Sequence, residues 1–138
     1  MKDYLTKSQK IKASCILHHN NKIFLLRSNQ VTDVGHRPWG GYFDIPSVTI
    51  PFGEDPKSTL KNTLIKCLGD VLDTMSVLDV RQYVSDNKTT QVFEVLFTAK
   101  TINAVHIEER LGIFMFVDKD ELDLYMFPQE RARLKKYL

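Results

Sequence analysis

The sequence predicts an α+β or α/β fold, an α/β/α sandwich in which helices cover the two faces of a mixed β-sheet. Three observations support this. Segments with apolar residues at period two lie before and between two separated helical segments. The chain of 138 residues has the length of a single domain, 1–138, with no linker, repeat or low-complexity stretch. Its 43% hydrophobic and 10% aromatic residues are enough to bury a core.

In "KIKASCILHH", Ile11, Ala13, Cys15 and Leu17 recur at period two and give a strand with one face buried. Asn20 and Asn21, residues that tolerate left-handed backbone, then turn the chain into "NKIFLLRS", completing a hairpin. From Asn29 to Gly41 there is no period, and Gly35, Pro38, Gly40 and Gly41 mark an irregular surface loop of functional length. "YFDIP" and "SVTIPF" read as short extended pieces around Pro46 and Pro51. Asp55 is placed to cap a helix with Pro56 at its first position; Leu60, Leu64, Cys67 and Leu68 share one face, and Gly69 ends it. "SVLDVRQYVSD" and "TTQVFEVLFTAK" form a long hairpin turning at Asn87 and Lys88, and "LGIFMFVD" is a further strand. "KDELDLYM" reads as a short helix or turn. "PQERARLKKYL" reads as a helix begun by Pro128, with Ala132, Leu134 and Leu138 as its apolar stripe.

Composition narrows the function classes. The net charge of +2 with 26% charged residues lacks the overall basic excess that would point to nucleic acid. The surplus is local: Arg131, Arg133, Lys135 and Lys136 stand against only Glu130 in the tail. That tail is a candidate contact for RNA or an acidic protein, against the plainer reading of a solvated helix. No apolar run approaches the roughly 20 residues that span a bilayer, and "MKDYLTKSQK" lacks the apolar centre of a signal peptide, so a cytoplasmic location is expected. Cys15 and Cys67 have neither disulfide-framework nor zinc-ligand spacing. His18, His19 and His36 show no ligand spacing either, and His18 and His19 point to opposite faces of a strand.

The stretch "IPSVTIPFGEDPKSTLKNTLIKCLGD" is the most informative. With the preceding hairpin and the Trp-bearing loop it resembles the Nudix hydrolases, whose box reads G-x5-E-x7-R-E-U-x-E-E-x-G-U, with U aliphatic. Pro46, Gly53, Glu54, Pro56 and Gly69 fit without a gap, and the resemblance spans about Ile11 to Leu122. It implies a Nudix-like fold and a Mg²⁺- or Mn²⁺-dependent cleavage of nucleoside diphosphate derivatives. The departures are as informative as the anchors. Ser47 and Val48 stand at the glycines, Asn62 and Thr63 at the Arg-Glu pair, Lys66 and Cys67 at the Glu-Glu pair, and Asp70 at the last aliphatic position.

Positions 62, 63, 66 and 67 lie on neighbouring rows of a helix, so glutamates there would converge on one hard cation. Lys66 offers only donors and Cys67 a soft sulfur. A unit charge about 4 Å away contributes roughly 4 kcal/mol per elementary charge at an effective dielectric of ~20, and an ammonium reverses its sign. The sequence therefore predicts a catalytically impaired member that binds a nucleotide-like or small anionic ligand.

Candidate ligand contacts are Arg27, through its planar fork; Trp39 and Tyr42, which could stack on a base; Glu54; and Lys66, a built-in cation. The plainer readings are a surface arginine, aromatics closing a core edge, a carboxylate favoured by the helix dipole and a solvated lysine. An alternative enzyme would hold Mg²⁺ or Mn²⁺ through Glu54 with Glu108 and Glu109, the acidic pair in "HIEERLGIF". A second alternative is a protein- or RNA-interaction module acting through residues 129–138. At least one Nudix-like protein without hydrolysis binds RNA. Cys67 with His106 as nucleophile and base is weaker than a buried, inert Cys67.

Overall fold

The structure, a computed structural model, describes residues 8–27, 43–69, 72–84, 88–102, 113–126 and 128–138. The elements are β1 (Ser8–His19), β2 (Lys22–Arg27), β3 (Ser47–Ile50), helix α1 (Pro56–Leu68), β4 (Leu72–Val84), β5 (Thr90–Thr101) and β6 (Ile113–Asp118). A 3₁₀ turn over Lys119–Leu124, helix α2 (Pro128–Leu134) and a last 3₁₀ turn over Lys135–Tyr137 follow. The strands form one mixed sheet in the order β4-β5-β1-β2-β6, with β3 also paired to β1.

The predicted hairpins form. Asn20 and Asn21 adopt φ of 49° and 67°, the left-handed pair a two-residue turn requires, and Lys88, at φ 59°, leads into β5 of the second hairpin, whose expected turn residue Asn87 lies outside the described residues. What joins the two hairpins is a parallel pairing of β1 with β5, from Ser8 opposite Thr90 to His18 opposite Lys100. It extends β1 two residues before the predicted start, because Ser8 and Gln9 find their partners in β5 rather than in a local pattern. The other edge of β1 is shared. β3 pairs with Ile11–Ser14 and β2 with His18 and His19, while Asp44 to Pro46 fill the splay, with Leu26 and Cys15 donating to the carbonyls of Asp44 and Pro46.

Period-two alternation makes both faces of β1 apolar cores. Ala13, Cys15 and Leu17 join Phe24, Phe97 and Ala99 beneath Leu60, Leu64 and Leu68 of α1. Ile16, with Ile23, Leu25, Leu96 and Val117, lies beneath Leu122, Met126 and Leu134. Helices on both faces make this the expected α/β/α arrangement. The C-terminal segment departs from the expected single helix. α2 stops at Leu134 and tightens into a 3₁₀ turn; Leu134 is buried and Leu138 half-buried, but Ala132 is exposed. Among the described residues no helix is long and apolar enough to cross a membrane.

Candidate functional site

The loop entering α1 is set by two local devices. Pro51, Phe52, Gly53 and Glu54 form a turn closed by a hydrogen bond from the Glu54 amide to the Pro51 carbonyl, with Gly53 at φ 86°, where a side chain would be strained. Asp55 then caps α1 by accepting from the Ser58 amide at 2.9 Å, which holds its carboxyl below the usual carboxylate range. Pro56 occupies the first turn, and Gly69, at φ 85°, donates its amide to Ile65 at 2.7 Å to close the helix.

With Leu60, Leu64 and Leu68 turned into the core, the opposite face of α1 is polar. Asn62 and Lys66 lie one above the other and exposed. Thr63 is half-buried, and its hydroxyl donates to the Thr59 carbonyl at 2.9 Å. Glu54 sits before the cap and accepts from the Thr59 hydroxyl at 3.0 Å. Lys66 is in the last turn, where the helix dipole favours a cation. At 1.5 Å per residue, the eleven steps from Asp55 to Lys66 separate the two ends by about 16 Å. Glu54 and Lys66 therefore stand near opposite ends of α1. A divalent cation would meet an amide, a hydroxyl already bonded to backbone, and an ammonium on this face, a donor set that does not fit it.

Other candidates fall where less is described. Arg27 ends β2 opposite Ile113, and its side chain, like that of Cys67, lies outside the described residues. Trp39, Tyr42, His36, His106, Glu108 and Glu109 also lie outside them. Cys15 is buried, and burial pushes its thiol up to about 12, as suits a small apolar side chain. His19 stacks on Phe116 and bonds to the Thr101 hydroxyl, while burial and the nearby Lys119 and Lys100 lower the pKa of His18.

The other face of the sheet carries a charge cluster for which sequence reasoning named no residue but Glu130 and Arg133 of the tail. Glu94, in the middle of β5, is fully buried. The register places it between Arg81 of β4 and Lys12 of β1. Arg81 Nε donates to it at 2.5 Å, the Ser14 hydroxyl donates at 2.5 Å, Lys12 Nζ lies at 3.9 Å, and Arg133 Nη1 reaches it from α2 at 3.3 Å. Burial opposes the ionisation of Glu94, but Arg133, Lys12, Ser14 and Arg81 outweigh it and hold its pKa below the ordinary value. Glu130 bonds Arg133 at 2.6 Å and lies 3.7 Å from Arg81. Asp44 borders the cluster. Burial pushes its carboxyl up to about 6 against the pull of Lys12 and Arg133, while Glu130 adds to the rise and the Ile45 amide bonds it.

Of the tail's charges, Arg133 turns inward to Glu94, and the others pair nearer the surface. Arg131 pairs with Asp123 at 2.9 Å and Lys136 with Asp79 at 3.6 Å, and Tyr137 donates to Asp79. The legible signal was Glu94 itself, a charge on the same strand face as apolar Val92 and Leu96.

No protein-family model matches this chain, and no curated protein sequence matches it. Solved structures do. A MutT Nudix hydrolase from Burkholderia pseudomallei superposes with a TM-score of 0.72 at 12% identity, over 94% of this chain and 98% of that one. The chain has the Nudix fold. A MutT protein from Methanosarcina mazei superposes with a TM-score of 0.68 at 16% identity over 95% and 94% of the two chains. A C. elegans Ap4A hydrolase gives 0.62 at 10% identity over 91% and 94%. At such identities what is shared is the Nudix backbone; the chemistry rests on this chain's own side chains.

Proposed function

We propose that this Nudix-fold protein is catalytically impaired as a pyrophosphohydrolase and binds a nucleotide-like or other small anionic ligand. The observation that carries this reading is the outward face of α1. There Asn62 and Thr63 stand where the resembled family places its Arg-Glu pair and Lys66 where it places a glutamate, and the remaining glutamate, Glu54, lies before the opposite end of α1 and is already bonded to Thr59. A face with that donor set repels a divalent cation and suits an anion. The inward pairing of Arg133 with buried Glu94 supports a ligand cleft over a tail that docks on RNA or protein.

The test is calorimetric titration with ADP-ribose, dinucleoside polyphosphates and nucleoside triphosphates, with and without Mg²⁺, beside an assay of phosphate and pyrophosphate release. Binding that survives chelation, without turnover, is the expected result. Mg²⁺-dependent release that disappears in Glu54→Gln would overturn it and favour the enzyme that holds metal through Glu54 with Glu108 and Glu109.

A further inference from the structure

Four of the exposed large hydrophobic side chains, Val77, Leu78, Val80 and Val84, lie on β4, and Ile11, on the α1 face of the sheet two strands inward, is 44% exposed. β4 is an edge. Among the described residues its only neighbour in the sheet is β5, so one side of a 13-residue strand has no hydrogen-bonding partner strand. A long apolar edge of this kind is a template for another strand. Bulges shift its register before Met75 and between Val77 and Asp79, leaving Asp79–Val84 as the regular stretch. There Val80 faces the α1 side, in register with Val95, while Asp79 and Arg81 face the α2 side, opposite Leu96 and Glu94.

We propose that this edge pairs with the β4 of a second copy of the chain, antiparallel, about a two-fold axis at Val80. Charge complementarity selects both the partner and the register. Across the α2 face the row Arg81, Glu94, Lys12 alternates in sign and ends at the edge on Arg81, which is 32% exposed. A two-fold axis at Val80 sets Asp79 of one copy opposite Arg81 of the other, twice, and continues that alternation. An axis at Asp79 or at Arg81 would set like charges against each other. On the α1 face the same axis stacks Val80 on its symmetry mate and removes from water the most exposed of these β4 side chains, at 60%. Asp79 retains its bonds to Tyr137 and Lys136, so the incoming guanidinium joins a carboxylate that is already fixed in place.

Sedimentation equilibrium on the full chain across the micromolar range reads the outcome. The expected mass rises from 16.0 kDa toward twice that, and Val80→Lys, an exposed position whose folding is checked by thermal melting, weakens association at least about tenfold. The register has its own test. On the axis, the Cα atoms of Val80→Cys lie about 5 Å apart, within disulfide range, so oxidation links the dimer. Val84→Cys would sit about 27 Å from its mate and stay unlinked. The wild-type chain, with its native Cys15 and Cys67, is the control. A chain that stays monomeric, or a dimer indifferent to Val80→Lys, or equal linking at 80 and 84, would overturn the proposal.

Discussion

Replacing Glu94 by glutamine keeps the shape of a buried side chain and removes its charge. Glu94 is fully buried and meets Arg81 at 2.5 Å and Arg133 at 3.3 Å, with Lys12 at 3.9 Å. Breaking a buried ion pair from one side costs about 3–5 kcal/mol, because the partner charge is stranded. Here the stranding is incomplete. Arg81 is 32% exposed, and Glu130 still bonds Arg133 at 2.6 Å, so the lower end, about 3 kcal/mol, applies. For a chain of this size that is a fall in Tm of roughly 10 °C. The pH dependence checks the cause. The folded pKa of Glu94 lies below its ordinary 4.5, so its contribution is present above that value and is lost as pH falls through the folded pKa. The melting gap between wild type and Glu94→Gln is therefore widest near neutrality and closes in acid. A gap below about 1 °C at pH 7, or one that persists undiminished in acid, would refute the role given to the charge.

Asp44 has the opposite sign: its folded value of about 6 lies above its ordinary 3.8, so the stabilisation it confers is present below 3.8 and lost as pH rises past 6. Asp44→Asn, whose amide oxygen still accepts from Ile45, should leave stability unchanged near pH 3.5 and raise it by up to roughly 3 kcal/mol at pH 8, read as a pH-dependent Tm difference. Leu64→Ala should cost about 2–5 kcal/mol in denaturant unfolding, since Leu64 is 2% exposed beneath α1, whereas Lys66→Ala on the opposite face should stay within about 0.5 kcal/mol. Deleting residues 129–138 removes buried Leu134 and the Arg133 partner of Glu94, so it should lower Tm sharply; a truncated chain that melts like the full one would show the tail to be an independent arm. Chelator should leave Tm unchanged, because the exposed face of α1 offers no carboxylate set for a divalent cation.

Helix α1 was legible because every signal for it is local. Asp55 bonds three residues ahead, Leu60, Leu64 and Leu68 recur at helical spacing, and Gly69 alone tolerates the φ that ends it. The Asn20-Asn21 hairpin was legible for the same reason. The charge cluster was not, because it joins residues that become neighbours only after β1 and β5 pair in parallel. Ser14 and Glu94 are 80 positions apart, and nothing within either strand specifies that register. Read singly, Lys12, Arg81 and Glu94 are the polar positions of alternating strands, as any half-exposed sheet would show them. Once the register is formed, each carboxylate in the middle of the sheet must find cations or be protonated. Glu94 finds three cations and stays ionised; Asp44, whose burial outweighs the pull of Lys12 and Arg133, ionises only near pH 6. The basic tail follows from the same requirement. Arg133 neutralises a charge inside this domain, while Arg131 and Lys136 pair with Asp123 and Asp79 nearer its surface.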